Sequence, residues 1–340
     1  MRNRKNKKSY RFILAVLLVC LILAVFVSML MGRYPIGLRD VFCITAGKIT
    51  GTEPVWSPTQ ESLLLTHRLP RIIIACLVGG CLSCAGVSYQ GVFQNPMAAP
   101  DILGASAGAG FGAALALLLN MGKNMTVVFA FAFSLITVSV VIFIGSRAKG
   151  KRIFGLILAG IMVGSMVSSF TSFIKLVADP MDRLPAITYW LMGSLNGAGP
   201  SDIKFVIIPM LCGIVPLVVI RWRINLLTLG DEEARTMGVN VNMLRIVIVL
   251  CSTLITAASV SVSGMIGWVG LVIPHMARRL VGNNYKHLLP VSVVLGAIFL
   301  LLVDDVSRTL MATEIPIGIL TSLIGAPFFT YLILRDGEKV

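Results

Sequence analysis

The sequence predicts an all-α polytopic membrane protein in which about ten transmembrane helices form a single bundle. Long apolar stretches recur along the chain, and a run of about twenty apolar residues can cross a bilayer as a helix. Charged residues make up only 13% of the chain and hydrophobic residues 56%, whereas a soluble domain carries about 25% charged residues. Because an α-helix satisfies its own backbone groups in lipid, each stretch is predicted to be helical.

The predicted spans follow one another without a domain linker, so residues 1–340 are predicted to form one transmembrane domain. The first span follows the basic segment 1–11 and is too long for the apolar core of a cleaved signal peptide, so we expect it to persist as a helix. Glycines and Pro274 interrupt segment 264–279, where two spans are predicted to meet. In chain order, the spans are predicted at residues 12–31, 69–90, 101–119, 125–145, 153–175, 203–220, 245–263, 265–280, 290–303 and 315–334.

Lys and Arg are distributed unevenly between alternate connections, and this distribution predicts the orientation. With the N-terminus in the cytoplasm, the cytoplasmic ends of the spans hold 19 of the 29 Lys and Arg residues. Both termini and loop 221–245 are therefore predicted to be cytoplasmic, in a multi-pass protein of the cell membrane. The pattern also argues against nucleic acid as a partner, since the basic residues behind the net charge of +14 lie at span ends and form no solvated stripe.

Two patterns resemble binding sites but are incomplete. Cys81-x-x-Cys84 has the spacing of a metal-binding pair, yet no second pair or nearby His accompanies it. Segment 145–151 matches the start of a phosphate-binding loop, but Arg152 stands where Ser or Thr is required. The sequence therefore predicts no metal, no cofactor and no nucleotide site in this chain.

Glycines recur at helical spacing in two of the predicted spans. Gly104, Gly108 and Gly112 lie four residues apart, and Gly160 and Gly164 repeat the spacing. Such a face lets another helix backbone approach closely in lipid. We expect ordinary helix packing there, with the lining of a narrow passage by residues 104–112 as the alternative.

The segments that carry functional information are residues 67–71, 90–108, 229–241, 264–278 and 314–329. Together they resemble the FecCD family of ABC importer permeases, which serve iron-siderophore, haem and cobalamin uptake. The resemblance extends from about Arg68 to Leu334. Ala99 stands where the family usually has Asp, and Trp268 where it usually has Phe.

The resemblance implies a permease subunit that acts as a homodimer or beside a close homologue. It also implies two cytosolic ATPase subunits inside and a substrate-binding protein outside. The passage would lie between the permease subunits, lined by the fifth and tenth predicted spans with a contribution from the third. Iron-siderophore cargo is expected, and haem and cobalamin are the alternatives within the family.

Three arginines at the outer ends of spans, Arg68, Arg71 and Arg308, run against the inside bias of the basic residues. We expect them to contact acidic residues of the substrate-binding protein, as the resemblance implies, because Arg–carboxylate pairs fix orientation. Snorkelling towards lipid headgroups is the alternative. Asp304 and Asp305 are close enough in sequence to hold Arg308 in place.

Segment 229–241 is predicted to be a short cytoplasmic helix, opened by acidic residues that favour the helix N-terminus and closed by a glycine. Ala234 and Met237, three residues apart, would form an apolar knob. The resemblance makes this the coupling helix that seats in a groove of the ATPase. The residues assigned to coupling are Leu229, Gly230, Glu232, Glu233, Ala234, Met237 and Gly238.

Five further residues are candidates for structural or path-lining roles. Gln90, Asn95 and Pro96 lie where the second span turns into the third, and the two amides are expected to satisfy backbone groups there. His275 follows Pro274, and we expect a structural role for it in a broken span.

Two other function classes compete with an importer permease. An ion-coupled secondary transporter needs ionisable residues near the bilayer midplane, but Asp101 and Lys175 are predicted at span ends. An intramembrane enzyme could be imagined from Ser106 or Ser263 with His275, yet no motif supports the pairing. No catalytic residue is therefore predicted.

Overall fold

The computed structural model describes residues 2–32, 34, 36–50, 56–148 and 152–336. Two basic segments used to predict the orientation fall partly outside them, at residues 149–151 and 337–340. In the first half, the helices are α1 (Arg2–Leu30), α2 (Leu38–Thr50), α3 (Pro58–Ser62), a π-helical turn (Leu63–Arg68), α4 (Leu69–Val92), α5 (Ala105–Leu118), α6 (Gly122–Arg147) and α7 (Arg152–Val177). In the second half, they are α8 (Arg183–Leu191), α9 (Pro200–Leu227), α10 (Asp231–Thr236), α11 (Val241–Ser263), α12 (Val269–Val281), α13 (Tyr285–Thr309) and α14 (Ile317–Asp336).

The all-α polytopic fold class is confirmed. Within the described residues, 7 helices are long and apolar enough to cross a membrane, and no strand occurs. Each predicted span corresponds to a helix, but α5, α12 and α14 are not among the seven. Two of these three follow unwound segments, residues 93–104 before α5 and 264–268 before α12, so part of each crossing is irregular backbone.

Helix α4 lies at the centre of the bundle and contacts α9, α11, α12 and α13. Glycines allow these contacts, because a Cβ on Gly79 would collide with the carbonyl oxygen of Gly296, and a Cβ on Gly86 with that of Gly270. Small residues bring helix backbones together in lipid in this way. The centre of the fold is therefore held by backbone-to-backbone approach across α4.

The glycine face of α5 packs against α6. A Cβ on Gly108 would meet the carbonyl oxygen of Phe133 at 2.6 Å, and one on Gly112 would collide with that of Phe129. Gly104, with φ of +75°, lies against Gly164 of α7. These glycines therefore pack against neighbouring helices, as expected, and the structure gives no support to the alternative that they line a passage.

The end of α11, beside the break before α12, accepts a backbone hydrogen bond from the segment before α9, which is bonded in turn to the start of α14. Ser194 N–H donates to Ser263 O at 2.8 Å, and Ile317 N–H donates to Gly193 O at 2.8 Å. Trp268, at the start of α12, has φ of +70°, a left-handed conformation that is strained for a bulky residue. Irregular backbone at membrane depth requires such partners.

Candidate functional site

The three outer arginines form internal contacts. Arg71 of α4 donates to Asp304 of α13 through Nε at 3.0 Å and Nη2 at 2.8 Å, and to Glu314 through Nη1 at 3.0 Å. Arg308 donates to Asp305, and its Nε lies 3.9 Å from Asp304 Oδ2. This agrees with the expectation that the two aspartates hold Arg308.

Arg308 and Arg68 also contact the first helix, and Arg68 contacts the segment after it. Arg308 Nη2 donates to Ser28 O at 2.7 Å and to Ser28 Oγ at 2.6 Å. Arg68 Nη1 donates to Met29 O at 2.7 Å, and its Nη2 donates to Tyr34 O. Arg68 and Arg308 are only 5% and 6% exposed. The cluster therefore ties α1, α4 and α13 together.

The contacts of Arg68, Arg71 and Arg308 within the chain were only partly expected, and their docking of a substrate-binding protein stays a prediction. Sequence position placed them correctly at the outer ends of helices, but it could not show that carboxylates and carbonyls of the same chain face them. A guanidinium shielded from water is stabilised by such partners. In the structure, these residues are shielded from water and paired within the chain at the ends of their helices.

The short helix predicted in segment 229–241 is present as α10. Its first turn holds Asp231, Glu232 and Glu233, where negative charge favours the helix N-terminus. Gly230 precedes it with φ of +125°, and Gly238 follows with φ of +78°. Both glycines adopt backbone conformations that side chains disfavour, so the helix begins and ends where the sequence indicated.

The apolar knob of this segment differs from the predicted one. Ala234 is fully buried, whereas Met237 is 58% exposed and Leu229 is 54% exposed. Asp231, on the buried side with Ala234, accepts from Arg245 of α11 at 2.8 and 3.3 Å. The exposed knob therefore consists of Leu229 and Met237, and Ala234 anchors the helix to the bundle.

The turn after α4 uses a different amide from the one predicted. Gln94 Nε2 donates to Leu227 O at 2.6 Å, and Asn95 Oδ1 accepts from Met97 N–H at 2.8 Å, one residue beyond Pro96. Gln90 is buried, and its side-chain amide has no hydrogen-bond partner among the described residues. Asn95 thus acts as expected, and Gln94 takes the role expected of Gln90.

His275 lies on α12 next to Pro274, which is inside the helix. Its Nδ1 lies 3.0 Å from Leu271 O, and its ring stands edge-on to Phe329 of α14, with centroids 5.6 Å apart. The ring contact with Phe329 joins α12 to α14. Among the described residues, no group of three His, Cys, Asp or Glu side chains could hold a metal ion.

A cavity of about 560 Å³ lies where the turn before α5, the break before α12 and the start of α14 meet. Asp101, Ser106, Trp268 and Ser322 contribute to its lining. Asp101 is exposed to it and accepts from Ser106 N–H at 2.7 Å. The two departures noted from the sequence, Ala99 and Trp268, both line it.

The residues around this cavity show that Asp101 lies deeper in the bundle than the sequence predicted. Adjacent Gly104 contacts Gly164, which lies halfway along α7, and Leu82, halfway along α4, also lines the cavity. Asp101 therefore lies near half depth in the bundle, not at a span end. The sequence could not show this, because the segment after α4 re-enters the bundle as irregular backbone.

The long apolar helices, the broken α11–α12 pair and the exposed short helix α10 define a multi-pass transport protein of the cell membrane. The FecCD transport family matches residues 20–335, and the chain belongs to this family. It is accordingly the permease subunit of an ABC importer, as the sequence predicted.

Curated relatives align over almost the whole chain. The molybdate import permease MolB of Haemophilus influenzae is 36% identical over 327 residues, 96% of each chain. A probable iron chelatin permease of Helicobacter pylori is 38% identical over 331 residues, 96% of this chain and 98% of its own. A solved inward-facing metal-chelate type ABC transporter superposes with a TM-score of 0.86 at 35% identity, over 96% of this chain and 99% of that one.

Proposed function

We propose that this permease imports a metal chelate of the iron-siderophore type. A substrate-binding protein delivers the chelate outside, and two cytosolic ATPase subunits drive its passage. Relatives at 34 to 38% identity are described as permeases for iron chelatin, iron(III) citrate and hemin. Others are described as permeases for cobalamin and molybdate, so haem and cobalamin remain the alternative cargoes.

The observation that carries the proposal is the geometry of α10. It is a short helix fixed to the bundle on one side, by Ala234 and the pair Asp231–Arg245, and exposed on the other. Leu229 before the helix and Met237 after it are exposed apolar side chains, and Glu232 and Glu233 between them are also exposed. A rigid helix seated in a groove transmits a rigid-body movement, so α10 suits coupling to an ATPase.

The proposal includes a second permease subunit, either another copy of this chain or a close homologue. Helices α7 and α14 expose rows of large apolar side chains, including Met162, Phe170, Phe173 and Leu323. The cavity beside Asp101 reaches α14 through Ser322. A passage between two subunits lined by α7 and α14 would join these features. The substrate-binding protein would dock on the outer surface that the arginine cluster supports.

The test is uptake into vesicles reconstituted with the permease, its ATPase and its binding protein. Radioactive iron carried on a hydroxamate siderophore should accumulate inside only when ATP reaches the ATPase. Vesicles containing the permease alone, and complete vesicles without ATP, are the controls. Accumulation by the permease alone would overturn the proposal. Uptake of haem or cobalamin, but not of the siderophore, would change the cargo and keep the mechanism.

A further inference from the structure

The cavity beside Asp101 extends from an open side near Leu323 to half depth in the bundle and has an uneven charge. Its lining draws on α4, α5, α11, α14 and the break before α12, with Leu82 and Thr256 among the deeper residues. The described lining includes one acidic side chain, Asp101, and no Lys, Arg or His. A single carboxylate therefore faces a space surrounded by largely apolar residues.

The local structure compensates only part of this charge. One oxygen of Asp101 accepts the Ser106 N–H in the first turn of α5, and a helix N-terminus carries about half a positive elementary charge. Such an end partly offsets a unit negative charge, and the remaining field extends into the cavity. In a space with low-dielectric walls this field is screened less than at a surface.

We propose that Asp101 makes this cavity a cation-favouring section of the cargo path, which passes neutral or net-positive chelates and disfavours anionic ones. The inference rests on the proposed function, because it assumes that cargo crosses the cavity. It narrows the cargo to the neutral and cationic members of the chelate class. Hydroxyls such as Ser322 add hydrogen-bonding capacity without charge.

The test measures the sign of the cavity potential with ionic thiol reagents and needs no cargo. The full-length permease is placed in lipid nanodiscs, with the exposed cysteines Cys20, Cys43 and Cys212 replaced by Ser. Ser322→Cys then puts a thiol in the cavity wall, and Thr236→Cys puts a control thiol on the exposed side of α10.

Each thiol reacts with trimethylammonioethyl methanethiosulfonate, a cation, and with sulfonatoethyl methanethiosulfonate, an anion. The ratio of the two rates is compared between Asp101 and Asp101→Asn, which keeps an acceptor for Ser106.

Asp101→Asn should lower the cation-to-anion rate ratio at the Ser322→Cys thiol by about fivefold or more. The ratio at the Thr236→Cys thiol should change by less than about twofold, since exposed charges beyond a Debye length are screened. An unchanged ratio at Ser322→Cys would overturn the proposal. So would a thiol that neither reagent reaches, because a cavity closed to small ions has no role in selecting charged cargo. Either result would leave ATP-driven uptake, and hence the proposed function, standing.

Discussion

Arg245 of α11 holds Asp231 of α10 through two hydrogen bonds, from Nη2 at 2.8 Å and from Nη1 at 3.3 Å. The arginine side chain is 4% exposed and the aspartate side chain 40%. A two-point Arg–carboxylate contact fixes orientation as well as distance. The pair therefore joins the exposed helix α10 to a long helix, α11, that crosses the membrane.

Asp231→Asn should weaken this connection, because it removes the negative charge and leaves only one of the two oxygens that accept from Arg245. Because a buried arginine loses a charged partner, we expect a loss of about 1–3 kcal/mol of stability. We also expect ATP-driven uptake to fall several-fold while the ATPase still binds. Thermal unfolding, pull-down of the ATPase and uptake check the three parts. Glu232→Gln, on the exposed side of α10, is the matched control for stability, and an equal fall of the unfolding temperature in both variants would contradict the role of the pair.

The difference between Ala234 and Met237 gives a second prediction. Met237→Asp should leave the fold intact and abolish coupled uptake, because the exposed apolar contact becomes charged. Ala234→Asp should lower the stability of the permease itself, since it places a charge at a fully buried position. Folded yield and thermal unfolding separate the two variants. Thr236→Asp is an exposed control on the same helix, and uptake should survive it. Normal uptake by Met237→Asp would remove α10 from the coupling mechanism.

Much of the fold could be predicted from the sequence, because length and hydropathy fix where helices cross a bilayer. The predicted span 69–90 matches α4, and span 245–263 matches α11 within a few residues. The short helix α10 was also predicted, since three acids between two glycines mark a short helix. These features are determined by residues that are close in sequence, so they do not depend on which helices pack together.

The side-chain partners could not be predicted, because they depend on which helices meet. Arg71 contacts Asp304, which is 233 positions away in the sequence. No pattern in segment 67–71 indicates that this carboxylate is its partner. Ala234 turns inward and Leu229 outward because of how α10 lies on the bundle. Asp101 lies at half depth because the irregular segment 93–104 enters the bundle before α5 begins. The hydropathy pattern does not distinguish such a segment from the start of a regular span.

A third prediction separates a supporting role of the outer arginines from direct docking. Arg71→Met leaves Asp304 buried without its closest charge partner, and breaking a buried ion pair costs about 3–5 kcal/mol. The permease alone should therefore unfold at a lower temperature, before any binding protein is added. Arg39→Met changes an exposed outer arginine and should leave the unfolding temperature within about 1 °C, since surface changes are usually small. If Arg71→Met instead weakened only the capture of the binding protein, the arginine would act as a docking residue.

The fourth prediction concerns the contact between α4 and α12. Gly86 lies against the carbonyl oxygen of Gly270, so Gly86→Ala must push the two backbones apart. Overpacking of this kind costs about 1–3 kcal/mol, and we expect a lower unfolding temperature together with reduced uptake. Gly267→Ala is the matched control, because no atom lies within 4 Å of a Cβ at that position. The break before α12 should tolerate it with unchanged stability. Because both substitutions add one methyl group in the same region, equal unfolding temperatures would show that the backbone contact of Gly86 does not hold the bundle together.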